Sequence, residues 1–370
     1  MKVIDLFSGV GGLSLGASRA GFEVCGAVEI DKNALSSHRR NFPNTKHLEE
    51  DIAQLSGKRL IESLNLKNSE ISGIIGGPPC QGFSCIGKNN ISDPRNNLFV
   101  DFFRIVAEVK PIFYLVENVP GILNRSNNLF MERALSYVEK DYTVLKPIVI
   151  CAKDLGAPTL RTRVFFIGFR NGETQHLAFE DFTPPQDIAF VTVGDSLKGL
   201  PARINASWQT EKEGWRIVRV KGKDYYSLRL QGFVPPGVGD PHALKRLKIE
   251  SRVSGNLGTI HSAKVAHRYS KIEPGKRDPV SKSHKLRLDG FCPTIRAGTG
   301  NDRGRFQAVR PLHPTQNRVI TPREAARLQG FPDWFQFSST KWHSFREIGN
   351  SVSPIVAERI LAVIKNIILE

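Results

Sequence analysis

Acidic residues are scarce in this chain: 36 Asp and Glu stand against 52 Lys and Arg, leaving a formal charge of +16 over 370 residues. Such a deficit suits a polyanionic partner, because each phosphate met by Lys or Arg releases a condensed counterion. Long apolar runs are missing too. No stretch of 18 apolar residues occurs, and Met1-Lys2-Val3-Ile4-Asp5 reads as a strand rather than a basic segment leading into an apolar one. These absences argue against a membrane partner, and a soluble, cytoplasmic protein is expected. Cysteine is thin: Cys25, Cys80, Cys85, Cys151 and Cys292 form no C-x-x-C pair. Neither a zinc site nor a disulfide framework is suggested, so no metal is expected and a single cysteine is free for chemistry in a reduced compartment. Internal repeats and low-complexity tracts are also absent.

What is present divides in two. Up to about residue 182, short apolar runs alternate with amphipathic stretches, the pattern of an α/β domain on a mostly parallel sheet. Strands are predicted at Val3–Phe7, Val24–Val28, Gly73–Ile75, Ile112–Val116, Val144–Ile150 and Val164–Phe169, with helices after Gly12, Asp31 and Pro94. The texture changes near Thr183-Pro184-Pro185 to a Gly-, Pro-, Ser- and Lys/Arg-rich stretch with little periodicity. Residues 181–290 hold 20 Lys and Arg against 11 Asp and Glu, net +9, whereas residues 1–180 hold 21 against 19, net +2. Most of the excess charge therefore lies outside the α/β core. Near the end, Ser353 as N-cap and Pro354 at the first helical position open a helix. Its Val356, Ile360, Val363, Ile364 and Ile367 share one face, expected to pack back on the first domain. The expected division is a domain of residues 1–185 completed by 345–370, and a smaller unit of 186–344.

Four places carry candidate chemistry. The first strand runs into Asp5-Leu6-Phe7-Ser8-Gly9-Val10-Gly11-Gly12, a glycine turn that lets a nucleotide-like ligand approach the backbone. The pyrophosphate pattern G-x-G-x-x-G would need Gly at position 14, where Ser14 stands, so a smaller adenosyl ligand fits better than a dinucleotide. Taken alone, the loop is equally a plain glycine turn. Glu29 follows about 20 residues later at the end of the second strand, where a carboxylate can accept from ribose hydroxyls. Asp51 could accept from an adenine amino group. Alone, either is a solvated loop acid; with the glycine loop at this spacing, the ribose role for Glu29 is the better reading. In Gly76-Gly77-Pro78-Pro79-Cys80-Gln81-Gly82-Phe83-Ser84, two prolines fix the backbone just ahead of a cysteine and polar residues follow. That setting favours a nucleophile over a buried filler. Glu117 closes an apolar strand, where partial desolvation suits proton donation, and Arg161-Thr162-Arg163 brings an arginine to the same rim.

In their order these motifs resemble the DNA (cytosine-5) methyltransferases, over most of the chain outside roughly 190–285. The series is Asp5–Gly12, Pro78-Pro79-Cys80-Gln81, Glu117-Asn118-Val119, Arg161-x-Arg163, then Thr321-Pro322-Arg323-Glu324 running to Pro332, and Gly349-Asn350-Ser351-Val352. The resemblance implies a Rossmann-like fold dependent on S-adenosylmethionine, with helices on both faces of the sheet. It also implies a smaller irregular, β-rich target recognition domain at about 190–300. Cys80 would add to C6 of a flipped-out cytosine in double-stranded DNA, Glu117 would hydrogen-bond N3 and the exocyclic amine, and Arg163, with Arg161 beside it, would hold O2. The cofactor would lie against Phe7, Ser8, Gly9, Gly11 and Gly12, then Glu29, Ile30, Asp51 and Ile52. Pro79, Leu98, Asn350 and Ser351 would complete its pocket. Gln81, Ser84 and Arg95 would contact DNA from the loop after the nucleophile. Ile30 departs from the aromatic some relatives carry there, and Thr159 from a common Gln. The resemblance further implies a monomer of restriction-modification type, with any cognate endonuclease acting separately. The alternatives are a tRNA-methylating relative, which the long basic segment disfavours, and an inactive DNA-binding homologue, which intact Cys80, Glu117 and Arg163 disfavour.

Overall fold

Successive side chains of a strand point to opposite faces of its sheet, and the apolar runs of the first 170 residues use both faces. A computed structural model gives the fold over residues 1–79, 97–174, 179–185, 187–219, 224–298 and 309–370. Strands β1 (Lys2–Leu6), β2 (Glu23–Val28), β3 (Lys46–Leu48), β4 (Ile71–Gly76) and β5 (Phe113–Asn118) lie parallel in the order β3-β2-β1-β4-β5. The chain then forms β6 (Tyr142–Val144), β7 (Ile148–Cys151), the two-residue β8 (Thr159–Leu160) and β9 (Thr162–Arg170). β9 pairs antiparallel with β5 on one edge and with β6 and β7 on the other. The sheet is therefore mixed: five parallel strands extended by three antiparallel ones. The single strand expected at Val144–Ile150 is two, separated at Pro147, which has no N–H to give to a ladder.

Helices α1 (Gly12–Arg19), α2 (Lys32–Asn41), α3 (Gly57–Leu64), α4 (Asn97–Val109) and α5 (Asn128–Leu135) accompany these strands. Beyond them come α6 (Val193–Leu197), β10 (Arg216–Ile217), α7 (Tyr225–Gln231), α8 (Pro241–Glu250), β11 (Arg252–Val253) and α9 (Ala263–Ser270). β12 (Cys292–Pro293), α10 (Pro322–Gln329), α11 (Lys341–Asn350) and α12 (Pro354–Leu369) complete the chain. Val3, Phe113, Leu115, Phe165, Ile167 and Phe169 face one apolar layer, shared with Leu13 and Ala17 of α1 and the buried stripe of α12. Ile4, Tyr114, Val116, Val164 and Phe166 face the other, shared with α3 and the phenylalanines of α4. Helices thus cover both faces. No described helix is long and apolar enough to cross a membrane.

α12 does pack on α1, and very closely. A Cβ at Gly16 would overlap the Ala357 methyl and sit 2.6 Å from the Glu358 nitrogen. Ser353 occupies the N-cap position but its hydroxyl accepts no cap bond from the first turn; Pro354 at the first helical position starts the helix. After residue 185 the described residues are mainly helix and loop, and their strands are two residues long, so the β-rich expectation is not met. Short capped helices replace it: Asp224, Asp240 and Ser262 each accept from the amide three residues on. The core of this part includes Val10, Leu15 and Phe42 from the first 50 residues.

Replacing Gly16 by alanine should lower stability by about 1–3 kcal/mol, because overpacking against backbone outweighs the gain in helix propensity. A urea midpoint that stays put or rises would mean α1 and α12 can part without loss.

Candidate functional site

The register aligns the C-terminal ends of the parallel strands: Leu6 lies opposite Val28 and Gly76, and Gly76 opposite Val116. β1 has β2 on one side and β4 on the other, so the chain reverses direction across the sheet beside β1, where open α/β sheets leave a crevice. A cavity of about 640 Å³ occupies it. From β1 it is lined by Phe7, Ser8, Gly9 and Gly12; from β2 by Glu29 and Ile30; after β3 by Asp51 and Ile52. Pro79, Leu98, Asn350 and Ser351 complete the wall, so every expected cofactor contact but one lines a single cavity. The exception is Gly11, whose left-handed backbone turns its Cα toward the Phe42 ring, where a Cβ would overlap Phe42 Cε2. Its role is to let the loop pass an aromatic side chain.

Local geometry explains the loop. Phe7 itself has φ +60°, a left-handed conformation costly for a bulky residue and tolerated where surroundings over-determine it. Glu29 fixes the turn: its carboxylate accepts from the Gly9 amide at 2.9 Å and from the Asp31 amide at 2.8 Å. Burial raises the Glu29 pKa, with these two amides acting against the rise. Asp51 accepts from the Ala53 amide at 3.0 Å. Gly12 meets the other end of the chain, since a Cβ there would overlap Ser351 Oγ and the Val352 carbonyl oxygen.

The same cavity reaches Glu117, Arg161 and Arg163. β9 runs antiparallel to β5, so its first residues return to the rim where β5 ends. Arg163 Nε lies 2.6 Å from Glu117 Oε1, both side chains largely buried. Arg163 also donates to the Thr162 carbonyl at 2.7 Å. Glu117 Oε2 stands where a Cβ on residue 77 would come within 3.2 Å, so Gly77 makes room for it. Arg161 is buried and donates to the Ile295 carbonyl at 3.3 Å, tying β9 to the segment after β12. Cys80, Gln81, Ser84 and Arg95 lie outside the described residues, although Pro79 immediately before Cys80 lines the cavity.

Sequence reasoning missed the face of α11. His343, Arg346 and Glu347 also line the cavity, at spacings of seven, four and three residues before Asn350. Counting back in helical steps from Asn350 would have found them. Arg346 pairs with Asp31 at 3.1 Å. Glu347 accepts from Ser37 Oγ and the Ser338 amide, both at 2.9 Å, and burial pushes its pKa to about 8. Beneath the loop lies a buried polar chain. Ser14 Oγ donates to Asp5 Oδ2 at 2.6 Å and meets His38 Nε2 at 3.0 Å, while His38 Nδ1 meets His47 Nε2 at 2.8 Å. Burial pushes Asp5 up to about 7, lowers His38 well below its usual range and lowers His47 to about 4. Among the described residues no group of three His, Cys, Asp or Glu could hold a metal ion.

Comparison with known proteins agrees with this geometry. The model of the family described as C-5 cytosine-specific DNA methylase matches residues 1–366. The Type II methyltransferase M.XorII of Xanthomonas oryzae pv. oryzae is 37% identical, over 96% of this chain and 82% of its own length. M1.HphI of Haemophilus parahaemolyticus is 32% identical, over 97% and 85%. A crystal structure of a prophage-encoded E. coli protein assigned as a DNA modification methyltransferase superposes with a TM-score of 0.91 at 48% identity, covering both chains fully. The S. pombe Dnmt2 methyltransferase shares the fold, with a TM-score of 0.64 at 17% identity over 99% of this chain and 98% of its own.

The buried chain yields a pH test. A carboxyl held near 7 in the fold but near 3.9 when unfolded stabilises the fold fully only at low pH, and that contribution is lost as pH rises through about 7. Asp5→Asn should therefore gain on the parent protein in urea midpoint between about pH 5 and about pH 8. A difference that stays constant across that range would show that Asp5 ionises in place without penalty.

Proposed function

The chain belongs to the C-5 cytosine-specific DNA methylases, and from that premise we propose that it methylates C5 of one cytosine within a short double-stranded DNA sequence. The observation that carries the proposal is the meeting, in one cavity, of the glycine loop pinned by Glu29 with the Glu117–Arg163 pair beside Pro79. Residues 1–185 with 345–370 would do the chemistry, and 186–344 would recognise the sequence.

The cavity suits S-adenosylmethionine. Glu29 is held by two amides with its carboxylate facing the lining, Phe7, Ile30 and Leu98 offer apolar surface, and Ser8 Oγ is buried with no hydrogen-bond partner among the described residues. Bound there, the cofactor supplies the methyl group. Everything else falls to the chain. Cys80, as thiolate, forms a bond to C6 of the extruded cytosine, and the electron pair of the C5–C6 double bond moves onto C5. Glu117 hydrogen-bonds N3 and the exocyclic amine, and Arg163 holds both Glu117 and the base O2, with Arg161 fixing the start of β9 behind it. Once C5 carries the methyl group, loss of its proton and departure of the Cys80 thiolate restore the ring. Base flipping is required because the stacked base hides C6 and C5 from a side chain. Gln81, Ser84 and Arg95 would contact DNA around the extruded base. The Type II names of the relatives support a restriction-modification role, carried out by a cytoplasmic monomer with a separately acting endonuclease.

Expressed in a methylation-free bacterial strain, the protein should mark one short motif in a genome-wide map of 5-methylcytosine. Cys80→Ala should leave no mark while retaining DNA binding. Methylation that survives the substitution would remove Cys80 from the mechanism, and a parent protein that marks nothing would sink the proposal. Glu29→Ala should weaken S-adenosylmethionine binding by about 10- to 100-fold, the worth of a charged hydrogen-bonding group; calorimetry showing unchanged affinity would move the ribose elsewhere.

A further inference from the structure

A second cavity, of about 510 Å³, opens in the basic part of the chain between residues 199–201 and the β10–β11 pair. Its charged lining is Arg216, Arg219 and Arg252, with no carboxylate among the lining residues. Arg216 stacks on the Trp208 ring at 3.4 Å and donates from Nη1 to the Trp215 carbonyl at 3.0 Å, while its Nε is buried without an acceptor among the described residues. Arg219 and Arg252 are exposed beside it. The nearby acids are committed elsewhere. Glu213 accepts from the Gln209 and Thr210 amides and from Thr210 Oγ1. Glu250 stands 3.8 Å from Arg252 and 3.6 Å from Arg246, one carboxylate between two cations at an exposed position. Arg216 and Arg252 thus lie near each other with too little negative charge around them.

The walls of this cavity are fixed from below. Arg327 of α10 donates to the Ser196 and Lys198 carbonyls at 3.0 and 2.8 Å, just ahead of Gly199. Arg323 of the same helix donates to the Ser254 carbonyl at 2.9 Å and Ser254 Oγ at 3.1 Å, just after β11. The Arg219 amide donates to the Gly199 carbonyl at 2.9 Å, joining one wall to the other. Two buried arginines of one helix therefore hold apart two strips of chain that present three further arginines.

We propose that this cavity binds a single phosphodiester of the DNA backbone, in support of the methyltransferase reading on which the proposal rests. A phosphate projects from a duplex and can enter a recess. A half-buried guanidinium stacked on Trp208 cannot extend into a groove to read base edges. Arg216, held in this way, serves as a backbone contact that positions the duplex and carries no sequence information.

The test is the salt dependence of binding to a random-sequence duplex, with the parent, Arg216→Gln/Arg219→Gln/Arg252→Gln and a Lys58→Gln control on α3. One phosphate fewer should flatten the slope of log affinity against log salt by about 0.9 in the triple variant, not by three times that. The double variant Arg219→Gln/Arg252→Gln, which alters only exposed side chains, should flatten it in the same direction with an unchanged thermal midpoint. The mapped methylation motif should be the same in every variant. An unchanged slope, a fall near 2.7, or an altered motif would each overturn the single-phosphate site. A parent protein that shows a salt slope but marks no cytosine would instead count against the methyltransferase reading.

Discussion

Nothing larger than hydrogen fits on residue 12, and that constraint organises the molecule. Gly12 lies against Ser351 Oγ and the Val352 carbonyl, and one turn later Gly16 lies against Ala357 and Glu358. The first helix and the last are thereby laid on the same face of the sheet, with residues more than 330 positions apart in van der Waals contact. The cavity depends on it: one wall is the loop that begins α1, and another is Asn350 and Ser351, which precede α12. A pocket built from both ends of the chain cannot exist until the long-range packing between them is complete, a contact with high loop-closure cost.

Charges divide by burial into those that define the structure and those that decorate it. Lys32–Glu49, with side chains 80% and 41% exposed, is worth at most about 1 kcal/mol. Losing one partner of a buried pair costs about 3–5 kcal/mol. The motif that opens with Thr321 belongs to the second group. Thr321 and Glu324 cap α10 reciprocally, and Arg318 binds Glu324 at 2.7 and 2.9 Å. Arg327 grips Asp333 through two bonds of 2.7 Å, and Arg323 donates to four acceptors around it. All but the half-buried Arg318 are buried, and none of them lines the cavity. They tie α10 to the segments around Ser196, Ser254 and Asp333.

Much of this was legible in the sequence because it depends on local rules. Short continuous apolar runs at 113–116 and 164–169 announced buried strands, and the glycine loop followed by Glu29 announced a crevice. The parts that escaped depend on tertiary contacts. β3 is three residues long, too short for any period, and is a strand because β2 pairs with it. The α11 face was hidden because only its last turn carries a recognisable motif. The region after 185 carries little sustained period, so nothing local marks its elements, and the β-rich character there was implied only by the family resemblance. Its helices are short and capped, and their apolar partners lie in distant segments such as Val10 and Phe42.

Ser14 joins these two levels. In the sequence it breaks the dinucleotide pattern, an argument about what the pocket does not bind. In the structure it is the hydroxyl that gives buried Asp5 its donor. Its single proton goes to Asp5, so His38 Nε2 must donate to Ser14, and His47 Nε2 in turn to His38 Nδ1. His38, accepting at Nδ1, is then neutral, which agrees with burial lowering its pKa; burial lowers the His47 pKa as well. Glycine at position 14 would remove the hydroxyl partner of Asp5 Oδ2 and of His38 Nε2, at about 1–3 kcal/mol for each buried polar atom left unpaired. The residue that breaks the pyrophosphate pattern is thus the one this hydrogen-bond chain requires.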